Sequence, residues 1–124
     1  MRTTSRTPTE QELEIMKIVW RLERATVRDV YEALRERRKI AYTTVMTMMN
    51  ILEEKKYLKK QAEDRAYVYQ ATRPRSEVIK AMVREFVDRV FNGSAEPLLI
   101  QLIRDRRLSQ KDLEKIARMI REGE

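Results

Sequence analysis

The chain of 124 residues contains no cysteine and no histidine. Without cysteine it can form no disulfide, no thiolate metal site and no cysteine nucleophile. Without histidine it lacks the commonest metal ligand and the commonest general base. Glycine occurs only at Gly93 and Gly123, which is too few for a phosphate-cradling loop. We therefore expect no enzyme, no metal site and no cofactor.

Long apolar runs are also missing from the sequence. None approaches the roughly 20 residues that a helix needs to cross a bilayer. The expectation is a cytoplasmic protein that does not insert into a membrane.

Positive charge is in excess, with 27 Lys and Arg against 20 Asp and Glu and a net charge of +7. A basic surface favours a polyanionic partner, because phosphate contacts release bound counterions. The excess is larger in residues 1–74, at +5, than in residues 75–124, at +2. Charge alone is equally consistent with a role in solubility.

Capping boxes predict where the first two helices begin. Thr9 with Glu12 opens one helix, and Thr26 with Asp29 opens the next. After a charged connection, apolar residues at i, i+3, i+4 and i+7 predict a third helix over 42–55. The residues of that apolar stripe are Val45, Met48, Met49 and Leu52.

The period then changes to that of strands. Two short segments, Tyr57–Ala62 and Ala66–Ala71, flank Glu63–Arg65 and predict a β-hairpin, although its turn lacks Asn-Gly or Asp-Gly. The segment Thr72–Arg75 contains a proline and is the expected domain boundary, between residues 74 and 75. Three helices follow, with Ser76, Ser94 and Ser109 as predicted caps and Pro97 in the first turn of the second.

The predicted fold class is mainly α with a small β-hairpin. Three helices followed by a hairpin are typical of a winged helix-turn-helix, here residues 1–74, with a helical dimerisation module in residues 75–124. Such a domain places its third helix in the DNA major groove and its hairpin, the wing, near the backbone.

The third predicted helix has a polar side opposite its apolar stripe. Thr43, Thr47 and Asn50 centre on that side, with Thr44 and Met46 on its flanks. Threonine offers a hydroxyl and a methyl group to base edges, and asparagine can pair bidentately with adenine. The alternative is a merely solvated face.

Basic residues lie before and after this helix and in the wing, where they would contact phosphates rather than read bases. Taken singly, each is more often an ordinary surface charge. The expected phosphate contacts are Arg38, Lys39, Lys59, Lys60, Arg65 and Tyr67.

The three C-terminal helices carry more apolar surface than about 50 residues can bury alone. Pairing with a second copy would cover it and would present two reading helices to a palindromic site. The alternative is packing against the same chain's winged helix. The expected dimerisation residues are Ile79, Met82, Val83, Phe86, Val90, Leu98, Leu99, Leu102, Ile103, Ile116 and Ile120.

Four segments carry a family resemblance: Glu12–Trp20, Thr26–Leu34, Ala41–Met49 and Arg65–Tyr69. They resemble the penicillinase repressor family of BlaI/MecI-like regulators. The resemblance implies a homodimeric repressor on a dyad operator with TACA/TGTA-type half-sites. It also implies a reading helix over Tyr42–Asn50, which adds Tyr42 to the expected base contacts. Family members control β-lactam resistance genes, and relatives control copper homeostasis.

The sequence departs from the family pattern at several positions. A cysteine-rich copper site is excluded, since the chain has no cysteine. In the β-lactam branch a membrane sensor-protease signals, and the repressor is cut at an Asn-Phe bond; the equivalent bond here is Gln101–Leu102. Lys56 stands where the family usually has glycine, and Glu63-Asp64 make the wing tip less basic.

The sequence therefore predicts a sequence-specific DNA-binding transcriptional repressor. It would act as a homodimer on a palindromic operator of the type that controls β-lactam resistance or related stress genes. The alternative is a winged helix that binds another protein and has no specific DNA binding.

Overall fold

A computed structural model describes residues 7–123 of the chain. Within this range, three helices, a two-stranded antiparallel hairpin and three further helices follow one another, which confirms the predicted fold class. The elements are α1 (Glu10–Leu22), α2 (Val27–Arg35), α3 (Tyr42–Glu54), β1 (Leu58–Glu63), β2 (Ala66–Ala71), α4 (Arg75–Phe91), α5 (Glu96–Arg104) and α6 (Gln110–Glu122).

Reciprocal capping boxes begin three of the helices, as the sequence predicts. In α1, the Glu12 N–H donates to the Thr9 hydroxyl at 3.1 Å, and the Thr9 N–H donates to the Glu12 carboxylate at 3.0 Å. The same pair of bonds begins α2 and α6. The residues are Thr26 with Asp29, and Ser109 with Asp112. The Ser109 N–H and hydroxyl hold the pKa of the Asp112 carboxyl below its usual value.

Two other predicted caps are wrong. The N-cap of α5 is Ala95, whose carbonyl accepts the first intrahelical bond, so Ser94 lies one residue too early. Pro97 does lie in the first turn of α5. The helix α4 begins at Arg75, so Ser76 falls inside its first turn rather than ahead of it.

The end of α3 has the geometry of a Schellman motif. Lys56 has a positive φ of 69°. Its N–H donates to the Glu53 carbonyl at 3.0 Å, and the Tyr57 N–H donates to the Leu52 carbonyl at 2.9 Å. Glycine adopts this backbone conformation without steric cost, which is the physical reason for glycine at this position in the family pattern.

The hairpin pairs Glu63 with Ala66 across a two-residue turn. Asp64 in that turn has a φ of 54°. A short polar side chain tolerates this left-handed conformation better than most, so the turn forms without Asn-Gly. The strand β1 begins one residue later than predicted, since Tyr57 closes α3.

The described residues up to Met82 form one compact unit, and those from Val83 form a second. The first unit has a core from α1, α2, α3, the hairpin and the first turns of α4, where Val78 is buried. The predicted domain boundary lies just ahead of α4. Half-buried Trp20 borders the core, and its indole N–H donates to the Arg73 carbonyl at 2.9 Å.

One ion pair lies at the edge of this core. The Lys55 ammonium is 2.8 Å from the Glu12 carboxylate, and the two side chains are only 10% and 7% exposed. The pair joins the start of α1 to the end of α3. Since Glu12 also closes the capping box, one carboxylate serves two elements.

Candidate nucleic-acid interface

The helix α3 divides into the two faces that its sequence predicts. Its apolar stripe is buried in the core of the first unit, at Val45, Met48, Met49 and Leu52. The opposite side carries Thr43, Thr44, Met46 and Thr47, all exposed to solvent. No aspartate or glutamate lies in its first turn. This helix therefore presents short, uncharged side chains next to its N-terminus.

A cleft of about 510 Å³ separates α3 from the wing and from the start of α2. It brings together residues that are far apart in the sequence. From α3 it is lined by Tyr42, Met46 and Asn50, and from the wing by Lys60, Arg65 and Tyr67. Expected base contacts and expected phosphate contacts thus share one concave surface.

Tyr42 begins α3 and is half-buried. Its ring packs edge-on against Tyr31, with the centroids 5.4 Å apart, and the Arg28 guanidinium lies 5.6 Å from its centroid. Ala41, the N-cap residue, supplies no side-chain bond. The contacts of the Tyr42 ring therefore help to hold the start of α3 against α2.

Asn50, further along α3, is half-buried and also lines the cleft. Its side-chain oxygen accepts a hydrogen bond from the Tyr69 hydroxyl at 3.1 Å. Tyr69 is only 2% exposed. Burial raises the pKa of the Tyr69 hydroxyl above its usual value, and the nearby Glu53 carboxylate raises it further. The hydroxyl is therefore a proton donor throughout the neutral range.

The basic residues differ in how free their charges are. Lys39, Lys59 and Arg65 are exposed. The Lys60 ammonium lies 4.6 Å from the centroid of the Tyr67 ring. Arg38, in contrast, forms an ion pair with Glu14 at 2.9 Å, so part of its charge is compensated within the protein.

One acidic residue of the wing is also compensated. Glu63 forms an ion pair with Arg24, just after α1. The acidic character that the sequence indicates for the wing tip is therefore reduced by a neighbour 39 residues away.

Sequence reasoning missed Arg28 as a residue of this surface. It lines the cleft in the first turn of α2 and also contacts Glu32 at 3.4 Å. A signal was available, because the Thr26 cap places the following residues at a helix N-terminus, where N–H groups attract anions.

The second unit exposes most of the predicted dimerisation residues. None of residues 83–123 is buried. Seven predicted residues are exposed: Val83, Phe86, Val90, Leu99, Ile103, Ile116 and Ile120. Leu98 and Leu102 are half-buried. The other two lie in the first unit, where Ile79 is half-buried and Met82 packs against the core.

The bond equivalent to the family's cleavage site, Gln101–Leu102, lies inside α5. The Gln101 side-chain amide donates to Asp105 at 3.2 Å, one turn further along. A protease that binds an extended substrate would have to unwind α5 to reach this bond.

In the described part of the chain, no helix is both long and apolar enough to span a membrane.

The first unit has three helices, an exposed polar face on the third helix, and a wing that shares a basic cleft with that helix. These features define a winged-helix protein of the DNA-binding class. The sequence profile of the penicillinase repressor family matches residues 8–122, and the chain belongs to this family. The family consists of DNA-binding transcriptional repressors, which confirms that the chain is not an enzyme.

Named relatives agree with this assignment. The transcriptional regulator BlaI of Mycobacterium tuberculosis is 36% identical over 94 residues, which is 74% of this chain and 68% of that protein. The penicillinase repressor of Bacillus licheniformis is 24% identical, over 91% of this chain and 88% of its own. The methicillin resistance regulatory protein MecI of Staphylococcus aureus is 19% identical, over 88% and 89%.

Among solved structures, a cysteine-to-serine mutant of Lactococcus lactis ZitR aligns with a TM-score of 0.48 and 14% identity. The alignment covers 98% of this chain and 77% of that one.

Proposed function

We propose that the chain is a homodimeric repressor that binds a palindromic operator in a sequence-specific manner. The observation that carries this proposal is the exposed threonine face of α3, bordered by the basic residues of one cleft. The genes it controls belong, on this proposal, to β-lactam resistance or a related stress response. Support comes from relatives that are named for penicillinase and methicillin resistance.

Division of labour within the surface follows from chemistry. Thr43, Thr44 and Thr47 carry hydroxyl and methyl groups that suit base edges in the major groove. Lys39, Lys59 and Arg65 are exposed and carry formal charges that suit phosphate oxygens. Base contacts would set the sequence preference, and phosphate contacts would supply most of the salt-dependent affinity.

Dimerisation is supported by the exposed apolar surface of the second unit. Phe86, Ile103 and Ile120 are 40%, 42% and 62% exposed. Burial of apolar area is favourable by about 25 cal/mol per Å². A second copy of the chain would cover these residues on both partners at once, because a two-fold axis pairs identical surfaces.

For release from DNA, the family resemblance implies a membrane sensor-protease as a partner. Its target would be the Gln101–Leu102 bond. Cutting there would separate α6 from the first part of α5 and would divide the proposed dimer surface. Gln101–Leu102 departs from the family's Asn-Phe bond, so cleavage at this bond needs its own test. The purified protein is incubated with such a protease, and the masses of the products show whether the chain is cut there.

Binding to the DNA upstream of the chain's own gene and its neighbours tests the proposal. A salt titration and excess random competitor DNA accompany the binding curve. The expected result is competitor-resistant binding to a dyad, with an affinity that falls steeply as salt rises. Binding that random DNA abolishes would contradict a sequence-specific repressor and would favour a winged helix that contacts proteins.

Sedimentation of the same protein without DNA tests the dimer separately. A molecular mass near twice the 14.9 kDa of one chain is expected. A monomer at every concentration, in both the presence and absence of a bound dyad, would refute the homodimer.

A further inference from the structure

We infer that Tyr69 orients the side-chain amide of Asn50 so that Asn50 presents its N–H donors to DNA. This inference deepens the proposed function and rests on it. Tyr69 is then a positioning residue, since it acts through Asn50, and Asn50 is the specificity-determining residue. The bases it would recognise are those that present an acceptor in the major groove: purine N7, guanine O6 or thymine O4.

A hydrogen bond from the buried Tyr69 fixes the side-chain oxygen of Asn50. The Tyr69 hydroxyl lies 3.1 Å from the Asn50 oxygen, and the tyrosine is buried in the core of the first unit. A donor fixed in a packed core constrains the group that accepts from it. The oxygen of Asn50 is thereby directed towards Tyr69 on β2, a residue that lines the same cleft as Asn50.

The side-chain nitrogen of Asn50 is free to bind DNA. Within residues 7–123, the amide nitrogen of Asn50 has no hydrogen-bond partner. No buried side-chain nitrogen or oxygen in that range lacks a partner, so this nitrogen is accessible to solvent. It carries two N–H donors and no lone pair that can accept. A base edge entering the cleft would meet a donor.

The residues that share the cleft with Asn50 are mainly basic or uncharged. Lys60, Arg65 and Tyr67 line the same cleft, and Met46 lies one turn before Asn50 on α3. The positive charges of Lys60 and Arg65 in this cleft favour base acceptor atoms over the amino groups of adenine and cytosine. Protonation of Tyr69 is secure at neutral pH, because burial favours the neutral phenol and raises its pKa.

Bidentate recognition of adenine is the competing arrangement. It needs the amide oxygen to accept from adenine N6 while the nitrogen donates to N7. Here one lone pair of the oxygen already accepts from the Tyr69 hydroxyl at 3.1 Å, which holds the amide in a fixed orientation. Adenine therefore has no special advantage over guanine, which presents N7 and O6.

Selection from a pool of double-stranded DNA with a randomised central segment tests the inference. Wild type, Asn50→Ala and Tyr69→Phe are compared by sequencing the bound DNA. We expect one position of each half-site to prefer acceptor bases in the wild type. That preference should fall roughly five- to tenfold in both variants, as expected for loss of one directed base contact.

Tyr31→Phe is the matched control. It removes a tyrosine hydroxyl from the same unit, and Tyr31 packs against Tyr42 rather than Asn50. The base preference at the Asn50-dependent position should be unchanged in this variant. Asn50→Asp keeps an oxygen for Tyr69 but replaces the donor by an acceptor, so it should shift the preference towards adenine or cytosine. Thermal unfolding, monitored by the fluorescence of Trp20, checks that each variant is folded. If Tyr69→Phe does not fold, the test relies on Asn50→Ala and Asn50→Asp.

The outcomes distinguish a failure of the proposed function from a failure of the inference about Asn50 and Tyr69. If the wild type enriches no dyad at all, the proposed function fails. If a dyad is enriched but Asn50→Ala alters no position, or Tyr69→Phe leaves the preference intact, the inference is overturned while the repressor remains. A preference for adenine more than about tenfold above guanine at the Asn50-dependent position would also overturn it, since that is the discrimination of a bidentate pair.

Discussion

Replacing Lys56 by glycine should stabilise the protein, because Lys56 has a left-handed backbone conformation with a φ of 69°. A residue with a side chain pays about 1–2 kcal/mol for that conformation. Glycine avoids the cost but loses more backbone freedom on folding, by about 0.4–1 kcal/mol. The net gain is about 0.8 kcal/mol in the free energy of unfolding.

The strained conformation cannot relax, since bonds on both sides hold it. The Lys56 N–H donates to Glu53, the following N–H of Tyr57 donates to Leu52, and the Lys56 carbonyl accepts from the Thr72 hydroxyl at 2.6 Å. For a unit of this size, about 0.8 kcal/mol raises the melting temperature by roughly 3–6 °C. The assay is thermal or urea unfolding followed by the fluorescence of the single tryptophan, which lies in the first unit.

Two controls separate backbone conformation from charge. Lys17→Gly makes the same substitution at an exposed position in the interior of α1 and should destabilise by about 1 kcal/mol. Lys56→Ala removes the charge but keeps a Cβ atom, so it should change the stability little. The reasoning is refuted if Lys56→Gly destabilises like Lys17→Gly, or if Lys56→Ala stabilises as much as Lys56→Gly.

Further predictions concern the core, the DNA surface and the dimer. Lys55→Met leaves the Glu12 carboxylate, 7% exposed, without its cation, and should lower the free energy of unfolding by about 3 kcal/mol in urea titrations. Thr47→Ala should weaken binding to the selected dyad while leaving affinity for random DNA nearly unchanged. Lys60→Ala should weaken both about equally and reduce the salt slope by about one unit, measured by fluorescence anisotropy. Met119→Glu places a charge on an apolar residue that is 60% exposed, and should raise the dimer dissociation constant at least about tenfold in sedimentation experiments.

Each of these has its own control. Adding Glu12→Gln to Lys55→Met should recover most of the lost stability, because no unpaired charge then remains; no recovery would mean that the ion pair is not the cause. Identical behaviour of Thr47→Ala and Lys60→Ala would contradict the division between base and phosphate contacts. Arg118→Glu changes charge on the same helix as Met119, and an equal effect on dimerisation would argue for charge rather than apolar contact.

Much of the fold could be predicted because its signals are local. A capping box such as that of Thr9 needs only residues three positions apart, and a helical stripe such as that of α3 needs only one helix. Errors arose where two local signals competed. Ser94 is a good cap by type, but the turn after α4 delays the start of α5 until Glu96, so Ala95 takes the cap position.

The outward face of α3 was also predictable, since burial of one side of a helix determines which side is exposed. The sequence could not predict which residues on and near this face are buried or bonded within the protein. On the helix, Asn50 is half-buried and bonded to Tyr69; just ahead of the helix, Arg38 is paired with Glu14. Neither partner is near in the sequence, so no periodicity could indicate these bonds.

The sequence by itself determined the order of the elements, their faces and the excess of positive charge, because these depend on neighbours along the chain. Tertiary structure decided which charges are compensated and which polar groups are oriented. It placed Arg28 beside Tyr42, Lys55 against Glu12, and the Tyr69 hydroxyl on Asn50. The physical reason is that hydrogen bonds and ion pairs act over a few ångströms in space, and only packing brings distant residues within that range.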